Sequence, residues 1–162
     1  MYFFEGEVMS ETALIADQLR RAFYGEAWHG DSLFEILKGV GAERAAERPV
    51  AGAHTIWELV LHIAAWDGVV RRRMTGAPVV LADAENFPAV SDTSTAAWEK
   101  TLAQVRRVHE ELIEAVEKFP EASLEKKVPG KEGAHYTFYY MLQGVVQHEL
   151  YHAGQIALLK KM

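Results

Sequence analysis

His148-Glu149-Leu150-Tyr151-His152 spells H-E-x-x-H, and in a helix its two histidines sit one turn apart on the same face. Both imidazoles can then reach one metal ion, with Glu149 beside them. A zinc protease built on this motif takes its third ligand downstream. Here the residues that follow, Ala153 to Met162, contain no His, Asp, Glu or Cys. The longer metzincin pattern also fails, because it needs glycine three residues after the second histidine and this chain has Gln155. A metal held by His148 and His152 therefore needs a third ligand from upstream, and the fold has to deliver it.

The rest of the chain predicts what that fold is. Its 162 residues suit one domain over 1–162 with a single sizeable core, and 49% hydrophobic residues are too many for a disordered chain. Four segments carry helical periodicity. The first runs from about Ser10 to Lys38, with Gly25 and Gly30 as kink points and Gly39 and Gly41 ending it. The second opens on Thr55-Ile56-Trp57-Glu58, a capping box, and stops at Gly76 before Pro78. The third runs from about Ser94 to Lys118, with Trp98, Leu102, Val105, His109, Leu112 and Val116 as its inner stripe. The fourth runs from about Tyr136 to the end of the chain. Strand signals are weak, with at most a small hairpin between Glu121 and His135. Four apolar stripes in one domain predict an all-α four-helix bundle.

Bundle geometry ranks the upstream histidines, since ligands of one ion must lie at one depth. His62 lies roughly 11 Å along the second helix, and His152 roughly 15 Å before the end of the fourth. These come level only if the two helices are antiparallel. The order is then up-down-down-up, with a crossover between the second and third helices spanning roughly 30 Å. The stretch from Ala77 to Thr93 could reach about 55 Å extended and is long enough. His29 falls near His62 on the same reasoning if the first helix runs antiparallel to the second, and reads as a group behind the ligands, a substrate-side group or a fourth ligand. His109 falls roughly 10 Å deeper and reads as a core or interhelix histidine. His54 and His135 read as solvent-facing or at a pocket rim.

Three stretches resemble the DinB-like (DinB/YfiT-like) family: Trp28-His29-Gly30, the run from His54 to Asp67 with its H-x3-W-D ending, and Gln147 to Ile156 with H-x3-H-x2-Q. The resemblance covers nearly the full chain. It implies a four-helix bundle with a crossover between the second and third helices, and a three-histidine divalent metal site carried over onto His62, His148 and His152. Members are described as metal-dependent enzymes; characterised relatives include low-molecular-weight-thiol S-transferases and a thiol-dependent isomerase. A homodimer is compatible with the resemblance, although no sequence patch compels it.

Three neutral imidazoles suit Zn, Ni, Fe, Co or Cu, and three protein ligands leave a position open for water or substrate. Glu149 reads either as a general base for hydrolysis or as a salt-bridged glutamate, since it lies about 100° around the helix from His148. Asp67 reads as a residue behind the ligands or as a structural one. Gln155 reads as a partner of a ligand, of substrate or of a neighbouring helix. Trp28, Trp57, Trp66, Tyr136, Tyr139, Tyr140 and Tyr151 are either pocket walls or core. The expected function is a metal-dependent hydrolase or thiol S-transferase acting on a small molecule. Without cysteine in the chain, any small thiol comes from outside. The alternative is a non-catalytic metal- or ligand-binding bundle, such as a stress-response or dimerising module. A net charge of −6 argues against nucleic acid as a partner. No apolar run suits a membrane span, and the first residues lack signal-peptide character, so the expected location is cytoplasmic.

Overall fold

The computed structural model describes residues 9–129 and 136–162. His135 and part of the expected hairpin lie outside these residues. Within them the chain is all-helical. Four long helices, α1 (Glu11–Tyr24), α4 (Ile56–Met74), α6 (Thr95–Glu117) and α7 (Phe138–Lys161), alternate with short α2 (Leu33–Leu37), α3 (Ala42–Ala46) and α5 (Asp83–Asn86). A 3-10 turn covers Glu121–Ser123, and among the described residues the extended pairing is one isolated bridge, Lys127 with Thr137.

Each long helix starts where a hydroxyl side chain takes up orphan amides. Ser10, Ser94 and Thr137 accept from the amides of Ala13, Ala97 and Tyr140. Thr55 and Glu58 form the reciprocal box that the sequence predicts, and Arg48 holds the same glutamate from outside at 2.6 Å.

The first helical segment departs from expectation. It is not continuous to Lys38 but stops at Tyr24. Gly25 takes φ 151°, Glu26 takes φ 61° and Gly30 takes φ 123°, backbone conformations that an α-helix does not contain. The chain restarts at Ser32, a buried cap that forms its own box with Glu35. His29 sits in the intervening turn and is exposed, rather than lying on a helix beside His62.

α4 packs on α6 and α7, and α1 packs on the same two helices, while α2 and α3 cover one end. The buried apolar side chains form two clusters. One joins Phe23 at the end of α1 to Ile56–Ala64 of α4, Trp98 and Val105 of α6, and Ala153–Leu159 of α7. The other joins Ile15–Leu19 of α1 to Val70, Leu112–Val116 and Met141–Val146. Between them, at the level where each helix passes from one cluster to the next, lie three fully buried polar side chains: Asp67 of α4, His109 of α6 and Glu149 of α7. His109 Nδ1 is 2.9 Å from Asp67 Oδ2 and 3.1 Å from Glu149 Oε1. Its Nε2 donates to the Leu19 carbonyl of α1 at 3.3 Å, and Phe23 stacks flat on its ring. One side chain thus ties all four long helices. No helix among the described residues is long and apolar enough to cross a membrane.

Burial by itself would lower the pKa of His109, but the carboxylates of Glu149 and Asp67 outweigh it and raise it to about 10. A proton held more tightly in the folded state than in the unfolded state stabilises the fold. That contribution is complete below pH 6.5 and is lost as pH rises through about 10. Denaturant unfolding is therefore expected to show stability falling over this window. His109→Gln should lower stability by roughly 3 kcal/mol at the acid end and flatten the slope. Equal slopes in the two proteins would show that His109 carries no folding-linked proton.

Candidate metal centre and its pocket

His62 points from α4 towards α7, where His148 and His152, one turn apart, point back. His62 Nε2 lies 3.0 Å from His148 Nε2, and His152 Nε2 lies 3.1 Å from the same atom. The other nitrogens fix the tautomers. His62 Nδ1 donates to the backbone carbonyl of Asn86 at 2.8 Å, and His152 Nδ1 donates to Gln155 Oε1 at 2.7 Å. Both Nε2 atoms therefore carry lone pairs, and both face His148 Nε2. One hydrogen on that atom cannot satisfy two acceptors with good geometry. His148 Nδ1 is buried and has no partner among the described residues. Three nitrogen lone pairs converging on one point fit a cation. Nitrogens each about 2.0–2.1 Å from a shared ion lie roughly 2.9–3.4 Å apart, so the observed spacings suit one.

Electrostatics agree with that fit. Burial lowers the pKa of all three imidazoles. His148 falls furthest, to about 3, through burial first and then its two neighbours; His62 and His152 are lowered chiefly by burial. The set is neutral at pH 7, the form that binds a metal.

The histidines close one end of a cavity of about 520 Å³. Trp66, Val70, Met141, Gly144 and Val145 form its apolar walls, with Tyr140 and Tyr151 at the mouth and Arg73 and Tyr136 further along. The segment between α4 and α6 adds two groups that the sequence reading passed over. Asn86 of α5 holds His62 through its carbonyl and Trp66 Nε1 through its side-chain oxygen at 2.9 Å. Phe87 stacks between His62, at 4.1 Å, and His54, at 3.6 Å, with all three rings nearly parallel. Irregular segments have no period to read; the one signal is a polar–aromatic pair in the segment between α4 and α6.

The other expected site residues distribute unequally. Gln155 meets His152 directly. Asp67 and Glu149 meet each other through His109 in the core, on the face of α7 turned away from the three histidines. Glu149 is buried to 1% exposure, and burial first, then Asp67, raises its carboxyl pKa against the opposing pull of His109. His29 does not line the cavity. Of the aromatics, Trp66, Tyr136, Tyr140 and Tyr151 line it. Trp57 is core and donates to Thr101, and Trp28 is wholly exposed.

The sequence profile of the DinB superfamily matches residues 27–156. The chain belongs to that superfamily. The matched span contains all three clustered histidines, both carboxylates of the buried layer and the whole segment between α4 and α6, and it leaves α1 outside. No curated protein and no solved structure matches the chain at a significant level.

Gly144 faces this cavity from within α7, and a Cβ placed there would meet nothing within 4 Å. Its absence serves space rather than packing, so Gly144→Ala is expected to raise stability by about 1 kcal/mol through helix propensity alone. A loss of stability in thermal unfolding would mean that α7 needs the glycine for a reason other than room.

Proposed function

We propose that this DinB-superfamily chain is a metal-dependent enzyme in which His62, His148 and His152 hold one divalent ion at the closed end of the pocket. The observation that carries the reading is the pair of fixed tautomers, which leaves Nε2 lone pairs aimed at one point. His62, His148 and His152 would hold such an ion with a coordination position left open, and the ion would there supply the acidification of a water or thiol at neutral pH. Asn86 and Gln155 hold two of the rings in the ligating tautomer, and the apolar walls keep bulk water from the reacting group.

The geometry favours an external small thiol over water as the activated nucleophile. A hydrolase of the H-E-x-x-H kind uses the glutamate as base. Here Glu149 lies in the core, 3.1 Å from His109, and among the described residues no aspartate or glutamate lines the pocket. A thiol needs no such base once bound. We therefore assign the protein to thiol S-transfer onto a small molecule, and Glu149 and Asp67 to the buried layer.

The fold that supports this reading is one domain with its long helices in the order up-down-down-up. The two core clusters support that order, because the first halves of α4 and α6 share one cluster with the last half of α7 and the end of α1. The crossover is then the segment 75–94, which carries Asn86 and Phe87.

Purified protein should contain about one divalent ion per chain by elemental analysis. His62→Ala, His148→Ala and His152→Ala should each remove most of it, since an incomplete shell binds poorly. Gln155→Leu, which unpairs His152 Nδ1, should weaken metal affinity by about 10- to 100-fold. His29→Ala and His109→Ala should retain the metal, and the wild type should conjugate a small thiol to an electrophile. Metal content that survives loss of His62 would overturn the site. Ester or amide hydrolysis without thiol conjugation would overturn the choice of nucleophile.

A further inference from the structure

Arg73 is a full positive charge set into an otherwise apolar pocket. Its Nε and Nη2 donate to the Val79 carbonyl at 3.2 and 2.9 Å, and its Nη1 donates to the Tyr136 hydroxyl at 3.0 Å. Arginine carries five N–H groups, so one remains on each terminal nitrogen. Tyr136 accepts from the guanidinium, which leaves its own O–H proton free to donate. No carboxylate among the described residues forms an ion pair with Arg73, in contrast to Arg20, Arg21, Arg44, Arg48, Arg71 and Arg107. Its two anchors are neutral; they fix the direction of the group without cancelling its charge.

The position of the guanidinium matters as much as its charge. It lies 5.7 Å from the Trp66 ring, and that ring lies 6.4 Å from His62. Arg73 leans back along α4 over Trp66, as helical side chains lean towards the N-terminus. It therefore lines the same cavity as the histidines but stands at a remove from them, with an indole between. Val70, Gly144 and Val145 provide a hydrocarbon floor over that interval.

We propose that Arg73, with the Tyr136 hydroxyl, is a specificity-determining anchor for the carboxylate of an elongated small substrate. The substrate's apolar body lies along Trp66, and its reacting group reaches the three histidines. This rests on the reading of that pocket as the substrate site. A carboxylate is the class selected, because two remaining N–H groups and one O–H match its planar pair of oxygens. A neutral ligand would leave the charge unpaired in an apolar site, so the pocket discriminates against neutral analogues of the same shape.

The test compares phenylbutyrate with its neutral isostere phenylbutanamide by calorimetric titration of the purified protein as isolated. Wild-type protein is expected to prefer the carboxylate by at least about tenfold. In Arg73→Gln the preference should collapse to within about twofold while amide affinity stays the same; Arg73→Lys, which keeps charge but loses the fork, should retain part of it. His148→Ala should keep the preference, because the anchor does not depend on the metal. This separates the proposal from the metal reading, whose own failure would appear as unchanged metal content in the histidine variants. Equal affinities in wild type, no binding of phenylbutyrate, or a preference that survives Arg73→Gln each overturn the anchor. A preference lost in His148→Ala and kept in Arg73→Gln would place the carboxylate on the histidines and overturn it too.

Discussion

A buried carboxylate cannot slide. Asp67 and Glu149 are removed from water on neighbouring helices and both face the single imidazole of His109, whose one positive charge balances one carboxylate while burial and Asp67 push Glu149 towards its neutral form. Displacing α7 by one turn against α4 or α6 would carry Glu149 about 5.4 Å into apolar side chains and take it away from His109, costing several kcal/mol. The apolar clusters above and below this layer tolerate small shifts, as hydrophobic contacts are non-directional. The polar layer does not. Register along α4, α6 and α7 is therefore set at one level, and everything attached to those helices inherits it.

The three histidines are the first to inherit it. His148 adjoins Glu149 in sequence, and His62 lies a little over one turn from Asp67. The register that joins Asp67 to Glu149 through His109 also sets His62 opposite His148. α7 thereby uses one short stretch twice, with the glutamate turned into the core and the flanking histidines turned to the pocket, about 60–100° away around the helix. In a zinc protease the same five-letter pattern places its glutamate beside the metal-bound water. Here the residue between the histidines lies in the core, so the pattern brings the two histidines together without bringing the glutamate to them.

That split also explains what the sequence made legible. Thr55 and Glu58, the i, i+4 histidines and the three- and four-residue spacing of α6 are local rules, and local rules survive folding. The buried layer is not local: Asp67, His109 and Glu149 are scattered through the chain, and each has an ordinary individual explanation. His109 was legible as an inward-facing side chain below the level of His62, but nothing in its neighbours named its partners. The break after Tyr24 was legible in principle, because Ser32-Leu33-Phe34-Glu35 is the same capping signature as Thr55 to Glu58. The apolar periodicity running past Gly25 outweighed it, and His29 was carried onto a helix that does not exist. Asn86 and Phe87 were beyond reach, since what they do depends on where a non-periodic crossover lands.

The pocket follows from where these constraints leave room. Helix α7 has glycine at position 144, which leaves open space beside the cavity, and Asn86 and Phe87 from the segment between α4 and α6 complete its lining beside His62. The result is a low-dielectric slot with neutral imidazoles at one end and a guanidinium further along. Its electrostatics are opposite in sign to the chain's net charge of −6. That negative surface does little to repel an anion at physiological ionic strength, where exposed charges beyond about 8 Å are largely screened. Within the slot the half-buried Arg73 is screened less than an exposed charge. Under the proposed anchor, selection for an anionic ligand would operate after entry rather than during approach, with the cavity first admitting a small molecule and Arg73 then holding it in one orientation.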